Sequence, residues 1–562
     1  MRRTLFMQAT VSRPTRIAGL VSGLAAGVAA LGFGELAGSA VSTWRSPVVG
    51  VADGVIEGAP KSVKDFAIEQ FGKNDKIALI VGILVMSVIF ACVLGLIGRR
   101  RPLVAAGGFL LFAIVGVWGS QQAATSTASG ALPSLVAGVA GVATLLALLR
   151  TSPQVSARSA DSLSDDSVAV GPVAVEPVAG ESGTDDQSSR SSASPHAPAA
   201  ASGSTRRIFL AAAAGIAVVG TAAAAGGRAL RGRFSASGSR ADVILPEPAT
   251  AIPAAPAGVS VDTEGISTFY TPNADFYRID TAVEVPQVIA GDWSLRIHGM
   301  VDREMTFSYD ELLERDLVEQ DITLTCVSNT VGGDLLGTAR WLGVPLRELL
   351  DEAGIQAGAD QLIGRSIDGW TSGFPIESLQ DDRPALLAIG MNGEPLPLEH
   401  GFPARVIVSG LYGYVSATKW ITEIEVSTFD AFDAYWVERG WDDRAPIKIQ
   451  SRIDTPRTLQ KVPAGTVTIG GVAWAQPVGI SKVEVQIDDG EFAEATLADQ
   501  LNGHTWRLWS MQWEGATAGR HRLTVRATDA DGTVQTEERA DPFPNGASGW
   551  MSIIVQVTDE AT

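Results

Sequence analysis

The sequence predicts a multi-domain chain: N-terminal transmembrane helices, then an α+β domain, then an all-β sandwich. Long apolar runs are confined to roughly the first 230 residues. Behind them the composition turns globular, with short strand and helix patterns in mixed order. From about residue 462 strand patterns separated by turn residues take over, and no long helical pattern interrupts them. Charge follows the same division. From Ala241 onward there are 49 acidic and 22 basic residues, about −27, which leaves the front of a chain of net charge −19 near +8. A domain this acidic argues against nucleic acid or anionic lipid as its partner. It suits a basic protein partner, although acidity also serves plain solubility.

Four stretches, 17–36, 77–97, 103–118 and 132–149, have the length and apolarity of transmembrane helices. A fifth, 208–225, is alanine-rich. Arginines flank them at Arg2, Arg3, Arg13 and Arg16, at Arg99–Arg101, at Arg150 and Arg158, and at Arg206–Arg207. If these mark the cytoplasmic side, an odd number of spans places the remainder outside, with Lys61, Lys64, Lys73 and Lys76 in an outer loop. Ser204-Thr205-Arg206-Arg207-Ile208-Phe209-Leu210 resembles a twin-arginine export signal, a route for proteins already folded around a cofactor; a plain positive-inside flank is the other reading. The five histidines (His196, His298, His400, His504, His521) all lie outside the spans, which excludes a bis-histidine haem in the membrane. Charges are nearly absent from the span interiors, so an ion path is also disfavoured and the helices read as an anchor or docking platform. The expected organisation is a four-helix region over 1–150, a disordered Ser/Ala/Pro/Gly linker over 151–204, a fifth helix over 205–227 and a flexible linker over 228–262.

The α+β domain is expected over 263–455. Asp292-Trp293-Ser294-Leu295-Arg296-Ile297 alternates like a strand, 309–317 reads as a short helix, and 347–353 as another. Strand-like runs follow at 385–389, 404–408 and 421–426. Over 456–562 the strand signals are 466–469, 483–487, 505–509, 522–527 and 551–557. Asp488-Asp489-Gly490 and Asp529-Ala530-Asp531-Gly532 read as hairpin-type turns. This is the texture of an immunoglobulin-like sandwich without a disulfide.

Cysteine occurs only at Cys92, inside an apolar run, and at Cys326. A disulfide between them is not expected, so Cys326 is a buried inert thiol, or a ligand or nucleophile. Three other segments look chemical. They are Phe269-Tyr270-Thr271-Pro272-Asn273 with Phe276-Tyr277-Arg278; Met391-Asn392-Gly393-Glu394-Pro395-Leu396-Pro397 with His400-Gly401-Phe402-Pro403-Ala404-Arg405; and Tyr412-Gly413-Tyr414-Val415-Ser416-Ala417-Thr418-Lys419-Trp420. An imidazole, a guanidinium, an ammonium and glycine-freed amides on turns suit an anionic cofactor such as a phosphate. Taken singly, each has a bland alternative: Arg405 in an ion pair, Lys419 on the surface, His400 in a turn.

Thr325-Cys326-Val327-Ser328-Asn329, then Ala339-Arg340-Trp341-Leu342-Gly343-Val344, then the Asn392–Pro397 and His400–Arg405 segments resemble the sulfite oxidase family of molybdopterin enzymes. Thr505-Trp506-Arg507-Leu508-Trp509 resembles that family's dimerisation domain. The resemblance covers about 265–557. It implies a sulfite-oxidase-type molybdopterin domain in which Cys326 is the protein's thiolate ligand to molybdenum and the catalytic centre, a soft sulfur suited to such a metal. It further implies that Asn273, Phe276, Tyr277, His400, Arg405 and Lys419, with backbone at Ser416 and Ala417, bind the pterin and its phosphate. Asp368, or Ser366 by analogy with the related periplasmic methionine-sulfoxide reductase, completes the cradle. The chain departs from the family where substrate charge is held. Pro272, Thr330 and Val331 replace family arginines, and Trp441 aligns with the family tyrosine; Arg340, Arg439, Arg444 or Lys448 are the available substitutes. No haem is expected. The implied function is a membrane-anchored oxygen-atom-transfer enzyme with its catalytic domain on the extracytoplasmic side. It would act on a small oxyanion such as sulfite or on an S- or N-oxide, exchange electrons with a separate cytochrome or membrane redox partner, and form a homodimer. A cofactor-free surface binding or scaffold protein is the alternative of another class.

Overall fold

The structure, a computed structural model, describes residues 13–60, 63, 66, 70, 71, 74–122, 127–152, 154, 155 and 201–559. The linker expected over 151–204, and Lys61, Lys64 and Lys73 of the expected outer loop, fall largely outside them. The chain divides into a helical unit ending at Gly232 and a second unit running from Arg233.

In the helical unit, Arg16–Gly38, Asp75–Gly98, Pro102–Ser120 and Ala128–Thr151 are long and apolar enough to cross a membrane. So is the helical run that starts at Arg206. Close approach is made possible by missing side chains: a Cβ at Gly23 would lie 2.1 Å from the Ala91 carbonyl oxygen, and one at Gly32 1.9 Å from that of Gly220. Ala26, Ala30, Leu94, Phe109 and Leu145 fill the interior, while Val81, Val85, Met86, Leu110, Leu111 and Ile114 face outward. One helix was not expected. Pro47–Gly58, capped by Ser46 with Pro47 in its first turn, has 12 residues, a rise of only about 18 Å.

The second unit opens with a correction. Of the segment expected as a flexible linker over 228–262, the first residues continue the preceding helix, and the stretch from Ala236 on is instead seated on the domain that follows. The preceding helix runs to Arg231, Ala236 and Val259 are buried in the main core, and Thr250 bridges to Val318. Its Ala/Pro/Gly composition conceals enough apolar side chains, among them Val243, Leu245 and Val261, to anchor it. The α+β part contains two five-stranded sheets. In one, Val318–Thr325 pairs with Leu336–Pro345, which pairs with Ala385–Met391; Arg405–Val408 and Glu394–Pro395 also pair with the last strand. In the other, Ile421–Ser427 lies between Ser294–Gly299, parallel to it, and the antiparallel Gln361–Ser366. Two short helices start close to where the pattern predicts, the first ending at Leu313 rather than at the expected 317. Tyr309–Leu313 is opened by a capping box between Ser308 and Glu311, and Leu346–Ala353 buries Leu346, Leu349, Leu350 and Ala353.

The β-rich part consists of two sheets of four and five strands whose inner faces share one core: Ile453, Val467, Ile469 and Trp509 from one, Val483, Val485, Leu523, Val525 and Val555 from the other. It begins with strand Gln450–Thr455, ahead of the expected boundary at 456, because that strand pairs with Gly465–Trp474. Hydrogen bonds tie this part to the α+β part. Trp506 Nε1–H donates to Phe269 O at 2.9 Å, Gln476 Nε2–H to Thr323 O at 3.1 Å, and Thr323 N–H to His504 O at 3.0 Å.

Trp509 has no exposed surface at the centre of the β-rich core. Trp509→Ala is expected to lower unfolding stability by about 3–5 kcal/mol, measured by denaturant titration of the detergent-solubilised chain.

Candidate functional site

Strand Val318–Thr325 ends by delivering Cys326 to a tight loop. Cys326 N–H donates to Leu335 O at 2.9 Å, and Asn329 N–H donates to Cys326 O at 3.0 Å. Asn329 Oδ1 closes the loop by accepting from Leu335 N–H at 2.9 Å. Cys326 is buried; burial pushes its thiol pKa up, opposed by hydrogen bonds from Ser328.

The facing wall begins at the turn Leu398–His400. His400 Nε2 lies 3.1 Å from Asn273 O. A carbonyl only accepts, so Nε2 carries the proton and Nδ1 is left as an acceptor. Burial, reinforced by Arg405 and Lys419, pushes the His400 pKa down to about 4, so the ring is neutral. Arg405 donates from Nη1 to His400 O at 3.1 Å and from Nη2 to Ala417 O at 3.4 Å, and its guanidinium carbon lies 5.3 Å from the Trp341 ring centre. Its Nε is buried without a partner, and no ion pair to it occurs among the described residues. Burial brings its pKa down to about 10. Lys419 donates to Asp280 Oδ2 at 2.7 Å and to Glu399 O at 3.1 Å; burial lowers it to about 8 against the pull of Asp280.

These groups line one cleft. Of the residues singled out in the sequence, Cys326, Phe276, Tyr277, Ser366, Asp368, His400, Arg405, Ala417 and Lys419 meet there. Two do not. Asn273 stands behind His400, its amide donating to Glu394 Oε1 at 2.7 Å and Met391 O at 3.2 Å. Ser416 turns its hydroxyl inward onto Leu411 O and Tyr412 O at 3.2 and 3.1 Å. Sequence reasoning gave no role to Asp280, Trp370, Tyr414, Trp420 and Trp436, which also line the cleft. Only the need of a buried Lys419 for a counter-charge hinted at Asp280.

The substitutes considered for substrate charge lie elsewhere. Arg340 is held by Asp321, at 3.0 Å from both Nε and Nη2. Arg439 lies over Tyr435 at 3.6 Å and Arg444 over Phe429 at 4.0 Å. Lys448 bonds Asn545 Oδ1 and Gly546 O at 2.8 and 2.6 Å. Trp441 packs on Tyr414, Trp436 and Phe543 rather than on the cleft.

The family "Oxidoreductase molybdopterin binding domain" matches residues 282–436. The chain is 32% identical over 152 residues to the uncharacterized oxidoreductase YuiH of Bacillus subtilis (strain 168), covering 73% of that protein and 27% of this one. The chain belongs to the sulfite oxidase family of molybdopterin oxidoreductases. Mitochondrial sulfite oxidase of Macaca fascicularis is 29% identical over 318 residues, 48% of this chain and 58% of the relative, so the chain spans under two thirds of that protein. A solved sulfane dehydrogenase SoxCD from Paracoccus pantotrophus is 22% identical with TM-score 0.46, covering 52% of this chain and 82% of that one.

As a member of this family the chain is an oxidoreductase whose cofactor is Mo-molybdopterin, and the cleft fits it. Among the described residues no cluster of three or more His, Cys, Asp or Glu could hold a metal. The orphaned Arg405 Nε and Ser366 Oγ are buried polar atoms awaiting a partner.

The folded pKa of His400, about 4, lies below its ordinary 6.5, so the unfolded chain takes up the proton first. This stability is therefore complete above pH 6.5 and lost as pH falls through 4, an effect of about 3 kcal/mol. His400→Gln is expected to flatten that part of the stability profile, measured by urea unfolding of cofactor-free protein from pH 4 to 7.

Proposed function

We propose that the chain is a membrane-anchored molybdenum oxidoreductase that transfers an oxygen atom at a metal bound by Cys326. The observation that carries this is the buried Arg405, without a carboxylate partner, on the wall of the same cleft as the only thiol of the second unit. The cofactor, when bound, supplies the metal that exchanges an oxygen atom and two electrons. Cys326 binds that metal as a thiolate; the metal's positive charge outweighs the burial that keeps the free thiol protonated. Arg405 and Lys419 hold the pterin phosphate, with Ser366, Asp368 and the backbone near Ala417 completing the cradle. Neutral His400 offers Nδ1 to a pterin N–H and is oriented by Asn273. Phe276, Tyr277, Trp370, Trp420 and Trp436 line the same cleft and reduce water around the reacting atoms.

Two substrate classes remain in play, sulfite and S- or N-oxides. With Arg405 and Lys419 committed to phosphate, no cation is left among the described cleft residues to bind a divalent anion, which favours the neutral oxides. The arginine-flanked apolar helices support a membrane anchor with the second unit on the extracytoplasmic side, following the twin-arginine-like Arg206-Arg207. The strand patterns and facing sheets support an immunoglobulin-like fold for the β-rich part and, by family resemblance, a homodimer served by a separate electron carrier.

Metal analysis of full-length protein expressed with cofactor supply is expected to give close to one molybdenum per chain; a content near zero refutes the proposal. Cys326→Ser is expected to reduce turnover by at least about 10³-fold with artificial electron carriers, at an unfolding midpoint like that of the parent. Sulfoxides and N-oxides are expected to turn over faster than sulfite, and the reverse order would select the sulfite reading.

A further inference from the structure

The segment after helix Ala201–Arg231 does more than connect. Its short helix Ser237–Asp242 is fixed from several sides: Ala236 N–H donates to Gln287 Oε1 at 2.9 Å, and Ala290 N–H to Ser239 Oγ at 2.9 Å. From this helix Arg240 reaches the Glu394-Pro395-Leu396 segment. Nε donates to Leu396 O at 2.8 Å, while Nη2 donates to Pro395 O at 2.6 Å and to Glu394 Oε2 at 2.8 Å.

Glu394 passes the constraint inward. Its other oxygen accepts from Asn273 Nδ2 at 2.7 Å, Asn392 Nδ2 donates to Asn273 Oδ1 at 2.8 Å, and the Asn273 carbonyl accepts from His400. The Glu394 side chain is half exposed, so Coulomb attraction across the pair is screened and contributes little. Geometry carries the effect: two backbone carbonyls fix the guanidinium, the guanidinium fixes the carboxylate, and the carboxylate fixes the Asn273 amide. Without Arg240, Glu394 keeps in this chain of bonds only the Asn273 amide that it is meant to position.

We propose that Arg240 is a positioning residue of the molybdopterin site, acting through Glu394 and Asn273 on His400. The juxtaposed segment after the last apolar helix is then a working part of the cofactor site. The inference rests on the reading that the Cys326 cleft holds the cofactor.

The test uses the full-length, molybdenum-loaded chain in detergent, with two readouts: molybdenum retained after timed dialysis, and the Mo(V) electron paramagnetic resonance signal. Arg240→Ala is expected to lose molybdenum about tenfold faster than the parent and to show a shifted signal. Arg240→Lys, which keeps a donor to the same carbonyls, is expected to restore retention to within about twofold. Glu394→Ala keeps Arg240 on its carbonyl partners and is expected to match Arg240→Ala; it also decides the matter if Arg240→Ala fails to fold. Parent-like loss rates and signal in Glu394→Ala, or in folded Arg240→Ala, overturn the proposal. A parent protein without molybdenum overturns the cofactor reading instead, so the two failures are distinguishable.

Discussion

The site is organised around a buried positive charge with no carboxylate to neutralise it. Removing a guanidinium from water costs several kcal/mol; here the cost is offset in part by the His400 and Ala417 carbonyls and by the Trp341 face. Those same contacts explain the neighbours. His400 stays neutral because Arg405 and Lys419 stand close to an imidazole already deprived of water. Lys419 remains protonated near neutral pH because Asp280 supplies what Arg405 lacks. One cation is compensated and one is not, so the cleft keeps an unmet demand for an anion.

The residues that create that demand sit on different elements, and the fold brings them together in a particular way. Arg405 begins a strand paired with Ala385–Met391, which pairs in turn with Leu336–Pro345, the partner of the strand that ends at Thr325. Cys326 and Arg405 are thus carried by one sheet, while Ser366 is carried by the other sheet of the α+β part and Lys419 by the turn leading into it.

Much of this was legible because the signals were local. Apolar runs reveal helices by length, and Cys326, His400 and Arg405 sit in short motifs whose turn residues can be read directly. Helix Pro47–Gly58 was hidden by its shortness, and strand Gln450–Thr455 by its polar Gln-Ser-Arg-Ile-Asp-Thr composition. The segment over 228–262 was misread because its few anchoring side chains are diluted by Ala, Pro and Gly. Asp280, Trp436 and the Glu394 link to Asn273 depend on pairings across long stretches of chain, for which no local pattern exists.

The β-rich part holds the cysteine strand at Thr323, three residues before the cysteine. Its hydroxyl accepts from Trp506 N–H at 2.8 Å, its carbonyl from Gln476 and its own N–H bonds His504 O. All three partners belong to the β-rich part. A foreign sandwich grafted in place of the β-rich part would therefore leave the cysteine strand without these three bonds.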